Sequence, residues 1–403
     1  MLMSLSGIVF GVGFFIVTQA QTSGFEEFFV KTILGTNGAI RIEDKIQATI
    51  FPMIATGSHF ESKMEVAAER GARKYVEGVE EPDIMMDALR KFQNVSGASI
   101  VVEGSVIADS AFKNDTAKVL GIRIDDHLAV SELESQVARG SGGASLEAFR
   151  TTPQGLLMGK ALAESLGVAV GDSLILRAGT EQRHYRLSGI FNTGVRDIDR
   201  VRIYMHLGEA RSLLKKTTGA SYIQVALFDR ERAPQDAAQM ERVFKQGAKS
   251  WQEREESWLE AFHALQISAA LTVSTIILIS GLGMFNTLAM IVIEKTKEIA
   301  ILRSMGYTRQ DIARIFIWLG AIVLVFGTLG GWALGYGVTY AVSKYPIKIR
   351  GIFSADTFQV HSTIWHYVIG TVSAAVVVMT AAIIPARRAA RLEPGDIIRG
   401  TSQ

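Results

Sequence analysis

The sequence predicts a membrane α-helical protein: four transmembrane helices in a one-plus-three layout, with a large α+β domain inserted after the first. Three observations carry that expectation. Uncharged stretches run from Met1 to Phe25, Ala261 to Ile293, Ile315 to Ser343 and Thr357 to Ala386, each longer than the roughly 20 apolar residues that cross a bilayer as a helix. Hydrophobic residues make up 48% of the chain and charged residues 20%, yet the charges concentrate between Glu26 and Glu260, which marks a water-facing segment large enough to fold by itself. Within that segment apolar residues recur with both strand and helix periods.

The first span is assigned to residues 1–22. No Lys or Arg precedes it, and Thr18-Gln19-Ala20 has the form of a small-residue cleavage site, so a cleaved signal peptide competes with a retained helix. The absent basic segment and the length of the apolar run favour the retained helix. The same absence points to a start further upstream or to a trimmed chain.

Residues 23–262 are assigned to the water-facing domain. A strand is expected over Gly38 to Gln47, then a helical stretch over Glu61 to Gln93 broken near Pro82, with Met64, Ala67, Ala68, Ala72, Tyr75, Ile84, Met85, Ala88 and Leu89 at helical spacing. Ser99 to Ala108 and Lys118 to Arg123 read as strands. Arg139 to Ser145 reads as a flexible loop by composition. Gly155 to Leu166 reads as an amphipathic helix stopped by Gly167, and Val170 to Arg177 as a turn into a strand. Tyr185 to Phe191, Arg200 to Met205 and Ser221 to Phe228 continue the sheet, with helices over Leu207 to Lys215 and Pro234 to Gln246. The interleaving is too irregular for a doubly wound nucleotide fold, which leaves α+β.

A polar helix over Ala248 to Phe262, with Trp251, Trp258 and Phe262 near the interface, is expected to run into the second span, residues 263–293. Residues 294–314 form a loop, 315–343 the third span, 344–362 a short loop, 363–386 the fourth span and 387–403 a tail. Lys295, Lys297, Arg303, Arg309 and Arg314 in the first loop and Arg387, Arg388, Arg391 and Arg399 in the tail place both in the cytoplasm. Span parity then exports the large domain. Gly327, Gly331 and Gly335, at intervals of four in the third span, are assigned to close helix packing.

Several function classes are disfavoured. The chain has no cysteine, hence no disulfide or thiolate metal site, and its net charge of +2 says little about partners. No Walker pattern occurs, so ATP, if used, must be bound by another polypeptide. The histidines, His59, His127, His184, His206, His263, His361 and His366, show no zinc-protease pairing with Glu, and no Gly-x-Ser-x-Gly appears. No catalytic residue, metal site or cofactor is assigned.

The most informative short segment is cytoplasmic, Glu294 to Ile312. Glu294, Glu298 and Arg303 lie among Ile299, Ile301, Leu302 and Met305 on an expected helix closed by Gly306, and Thr308 with Asp311 forms a capping box that starts the third span. Spacing allows two readings, a rigid docking knob or an ordinary interfacial loop with a solvated charged face.

This segment resembles the coupling region of type VII ABC transporter permeases, a superfamily that contains lipoprotein-releasing, macrolide-exporter and cell-division permeases. There a Glu-x-x-x-Glu-Ile-x-x-Leu-Arg-x-x-Gly run meets the ATPase subunit. Pro385 to Pro394 is similar to the C-terminal signature of the group, although Gly395 to Arg399 departs from its usual ending. The resemblance covers the whole chain through its one-plus-three layout. It implies an inner-membrane, multi-pass subunit that pairs with a second permease copy or homologue, grips an ABC ATPase dimer, and docks it through Glu294, Glu298, Arg303, Met305 and Gly306. ATP would then belong to the partner, and no nucleic-acid partner is expected.

Ile33 to Ile42, Leu120 to Ile124 and Gly155 to Asp172 are similar to segments of the lipoprotein-releasing branch, and the last is equally a helix, a stop and a turn that could stabilise any such domain. That branch implies extraction of acylated lipoproteins from the outer leaflet and transfer to a periplasmic carrier. Acyl chains would enter from the membrane lipid beside the first two spans, with Phe14, Phe15, Met284 and Phe285 as candidate contacts; plain lipid-facing or packing roles are the alternative. A macrolide-type efflux permease and a cell-division-type transmitter that controls a periplasmic hydrolase remain open readings.

Overall fold

The structure is a computed structural model that describes residues 2–44, 78–216, 218–344 and 360–391. Helix α1 (Leu2–Asn37) leads into strand β1 (Ile40–Glu43), followed by α2 (Pro82–Leu89), β2 (Val95–Asp109) and β3 (Asn114–Ile122). Next come α3 (Ile124–Leu128), α4 (Leu133–Gly140), α5 (Ala144–Thr151), β4 (Gly155–Gly159), α6 (Lys160–Leu166), β5 (Ser173–Ala178) and β6 (Glu181–Phe191). Then follow α7 (Arg196–Val201), β7 (Arg202–His206), α8 (Leu207–Leu213), β8 (Tyr222–Leu227), α9 (Ala233–Phe244), β9 (Gly247–Ser250) and α10 (Trp251–Arg254). Four helices end the described chain: α11 (Glu256–Glu294), α12 (Thr296–Ser304), α13 (Arg309–Lys344) and α14 (Ile364–Ala390). Two compact units result, with breaks between Phe28 and Phe29 and between Ser257 and Trp258.

The α/β unit is organised by one long strand. β2 has 15 residues, enough to serve two partners on one side. Its first half pairs with β8 and its last residues with β5, while Val101 to Asp109 pair with β3. Pairings β3–β7, β7–β4, β4–β6 and β6–β5 complete a ring, so β2, β3, β7, β4, β6 and β5 close on themselves and β8, β1 and β9 extend from β2. Closure removes most exposed edges, where unpaired backbone groups would invite aggregation. Leu156, Met158, Leu174, Leu187, Ile203 and Met205 of its strands form one buried cluster with Leu162, Leu166 and Leu213 of α6 and α8. Each such side chain contributes about 1.5–3 kcal/mol on burial.

Several local expectations are corrected. Gly155 to Gly159 is a fully buried strand, parallel to β6 and antiparallel to β7, and only Lys160 to Leu166 is helical. A continuous apolar run of this length suits a buried strand as well as a helix, and register with β6 decides it. Pro82 begins α2, as its fixed φ and missing N–H allow in a first turn. Residues 61–77 of the expected helix lie outside the described residues. Arg139 to Ser145 is no open loop: α4 runs to Gly140, α5 starts at Ala144, and Ser141 Oγ accepts from Ile190 N at 2.9 Å. Ala248 to Ser250 belongs to β9, and the helix into the second span starts only at Glu256.

The membrane unit holds the four long apolar helices, α1, α11, α13 and α14. All extend beyond the assigned spans, α1 running to Asn37 rather than ending near residue 22. The first helix is the hub. About 50% of its apolar stretch is buried, against 28%, 33% and 22% for the others. Ile8, Val12 and Ile16 join Ile277, Met284 and Leu288 of α11, Phe316 and Val323 of α13, and Ala374, Val378 and Ala382 of α14 in one buried cluster. Gly327, Gly331 and Gly335 face Ile8, Val12 and Ile16, and a Cβ added at Gly331 would come within 2.8 Å of Val12. Gly7 and Gly11 of α1 give the same close approach to Ser280 and Ile277, the small-residue packing that apolar surroundings favour.

Candidate functional site

The candidate site is the α11–α12–α13 turn of the membrane unit. Glu294 ends α11, Lys295 leaves helical geometry, and Thr296 Oγ1 donates back to Val292 O at 2.8 Å. Lys295 Nζ meets Glu298 Oε1 at 2.6 Å, and this contact raises the lysine above its ordinary pKa. Ile299 is buried in the bundle cluster that also holds Ala386 and Ala389 of α14, and Ala300 beside it is buried as well, which fixes one face of α12.

The helix stops where the sequence predicts. Gly306 has φ 102°, a conformation costly for a residue with a Cβ, and Tyr307 N donates to Leu302 O at 3.2 Å across the stop. Thr308 N donates to Asp311 Oδ2 at 3.0 Å and Asp311 N to Thr308 Oγ1 at 3.3 Å, so both bonds of the capping box are present.

The five predicted coupling residues divide. Glu294, Glu298, Met305 and Gly306 are exposed. Arg303 instead turns inward, half-buried, and its Nη1 donates to Ala390 O at 2.8 Å. Sequence reasoning missed Ile301 and Tyr307, exposed by 55% and 47%, which with Met305 at 72% make an apolar patch between charges. Their signal was available: large apolar residues on and just after a short helix whose other face already carries Ile299 and Ala300.

The four candidate cargo contacts do not form one surface. Met284 is wholly buried in the bundle, Phe15 is 3% exposed and packs on Gly370, Phe285 is half-buried and Phe14 is 49% exposed. Near them the outer part of α1 carries a polar cluster that composition had not singled out. Gln19 Nε2 donates to Gln266 O at 3.2 Å, and Gln266 Nε2 to Glu26 Oε2 at 2.7 Å, tying α1 to α11. His361 Nδ1 lies 2.5 Å from Glu27 Oε2, and His366 Nε2 lies 3.3 Å from Ser23 Oγ. His366 thereby ties α14 to α1.

In the α/β unit a cleft of about 790 Å³ opens on the polar sheet face beside Arg41, Glu103, Lys118, Arg202, Tyr222 and Gln224. Burial works to raise the Glu103 carboxyl, but Lys118 at 3.1 Å and Arg41 hold it below its ordinary value. The Arg41 guanidinium lies 3.7 Å over the Tyr222 ring, whose hydroxyl burial pushes up. Among the described residues no cluster of His, Asp and Glu could hold a metal ion.

Residues 1–243 match the MacB-like periplasmic core domain, and residues 270–394 match the FtsX-like permease C-terminal domain. The chain is a permease of the MacB and FtsX type. It is 24% identical over 328 residues to the lipoprotein-releasing system transmembrane protein LolC of Xylella fastidiosa, covering 76% of this chain and 78% of that protein. LolC of Neisseria meningitidis serogroup B is 24% identical over 267 residues, 60% of this chain and 64% of that one. The macrolide export ATP-binding/permease protein MacB of Vibrio parahaemolyticus is 30% identical over 130 residues, 32% of this chain and 18% of that one. The permease is thus an ABC transporter permease of the LolC, MacB and FtsX type, a membrane-spanning chain with a MacB-like periplasmic domain.

Proposed function

We propose that this permease extracts lipoproteins from the outer leaflet of the inner membrane and passes them to a periplasmic carrier, driven by ATP hydrolysis in a partner ABC ATPase. The observation that carries the reading is the extent of the match to LolC, up to about three quarters of both chains, against 32% to 50% of this chain for the MacB proteins. The chemistry explains why energy is needed. Each buried CH₂ of an acyl chain is worth about 0.8 kcal/mol, so a triacylated protein leaves a bilayer only against tens of kcal/mol.

In this reading the exposed face of α12 receives the partner. Glu294 and Glu298 offer charge, and Ile301, Met305 and Tyr307 offer apolar area; such a mix favours a specific docked pose over a purely electrostatic encounter. Two permease subunits, alike or different, would grip two ATPase subunits. Acyl chains would enter along α1 and α11, with exposed Phe14 as first contact; Phe15 and Met284 could meet cargo only after the helices part. Efflux of a small molecule is the second reading, favoured by the matches to MacB.

The test is reconstitution of the full chain with its ATPase in proteoliposomes carrying an acylated lipoprotein, with a soluble carrier outside. ATP-dependent appearance of lipoprotein in the soluble fraction is expected. Retention on the membrane during continued ATP turnover would overturn the proposal, and ATP-driven macrolide movement would establish the second reading. Glu298→Lys is expected to lower ATPase stimulation about tenfold, the effect of losing about one charge-assisted contact; unchanged stimulation removes Glu298 from the interface.

A further inference from the structure

Arg303 does not share the exposure of the other predicted docking residues, and its surroundings give it a different task. Its Nη1 donates at 2.8 Å to the carbonyl of Ala390, the last residue of α14. That end of a helix carries unsatisfied carbonyls and the negative pole of the backbone dipole, so a guanidinium there is held by charge and by hydrogen bond together. The Nε of Arg303 is buried without a partner, the mark of a side chain drawn in by one strong contact rather than placed for solvent. Ile299, one turn earlier on α12, belongs to the same buried cluster as Ala386 and Ala389 of α14. The knob is therefore joined to α11 and α13 through the chain and to α14 through apolar packing capped by one charged hydrogen bond.

We propose that Arg303 is a positioning residue that makes α12 and the C-terminal turn of α14 move as one piece, so that a push on the knob reaches the fourth span as directly as the second and third. This rests on the reading of α12 as the surface that receives a partner ATPase. Lysine can supply the same donor at that carbonyl, although without the planar fork of arginine, whereas alanine leaves the carbonyl without its charged partner.

The chain has no cysteine, so Ser304→Cys and Arg388→Cys introduce the only thiols, both at exposed positions of α12 and α14. Spin labels there report the α12–α14 distance in the full chain, assembled with its ATPase in nanodiscs. The expected result is one narrow distribution shared by the nucleotide-free and ATP-bound states. Arg303→Ala should broaden it, leave the affinity for the ATPase unchanged, and lower lipoprotein released per ATP about tenfold, the weight of one charge-assisted hydrogen bond. Arg303→Lys should restore the narrow distribution and most of the release. A distance that changes with nucleotide in the parent chain overturns the proposal, as does an Arg303→Ala distribution identical to the parent. Weakened ATPase binding in Arg303→Ala would return Arg303 to the docking surface and also overturn it. If Arg303→Ala does not fold, the parent distances and Arg303→Lys still decide. Absence of lipoprotein release by the parent chain would count against the cargo and leave the distance result standing; failure of the ATPase to bind at all would remove the coupling reading itself.

Discussion

A single side chain can carry two demands that its residue type does not announce. Arg303 stands in a run of charges that reads as a docking face, yet it caps a helix from another part of the chain. His127 shows the same gap between type and role. It is 0% exposed, its Nδ1 lies 3.2 Å from Ser99 Oγ, and its Nε2 has no partner. Burial, helped by Arg202 nearby, pulls its pKa down to about 3. The unfolded chain takes up that proton near pH 6.5. Between those values the unfolded state binds the extra proton, so stability rises with pH and is lost on acidification, by about 1.4 kcal/mol per pH unit below about 6. Hydrogen-exchange protection of β2 around Ser99 should therefore fall between pH 7 and pH 5, and His127→Gln should flatten that dependence. An equal slope in both proteins would assign the effect to other groups.

At the scale of elements, close approach sets the helix bundle. Gly331 leaves no room for a side chain against Val12, so Gly331→Leu is expected to cost about 1 to 3 kcal/mol by overpacking the α1–α13 contact. Thermal unfolding in detergent reads this; a midpoint equal to that of the parent would show that the two helices can separate freely. Gly306 poses the opposite case. Nothing lies within 4 Å of an added Cβ there, but φ is 102°, so Gly306→Ala should cost about 1 to 2 kcal/mol through backbone strain alone. Faster exchange confined to α12 and the first turn of α13 is the expected signature. Unaltered exchange would mean that the turn can close without a left-handed residue. Boundaries were legible where a special residue enforces them, as at Gly306 and Thr308. They were not legible at Gly155, where an apolar run satisfies strand and helix alike until β6 supplies a partner.

For the whole molecule, the first helix changes status. Its sequence permits cleavage near Ala20, but Ile8, Val12 and Ile16 lie at the centre of the bundle and Phe15 packs against Gly370. Removing it would strip α11, α13 and α14 of their common partner. Intact mass of the protein extracted from membranes is expected to include residues 2–20, and a chain beginning at Gln21 would contradict the packing.

Periodicity, length and charge asymmetry were enough to establish the one-plus-three spans, the inserted α+β domain and the helix, stop and capping box at the knob, because each rests on chemistry local to a dozen or two residues. The ring closed by β2, the hub role of α1, the polar ties of Gln19 and Gln266, and the inward turn of Arg303 depend on partners up to hundreds of positions away. Such pairings leave no periodic trace in either segment, so only the tertiary structure, in which each group must find a bond or a packed neighbour, decides them.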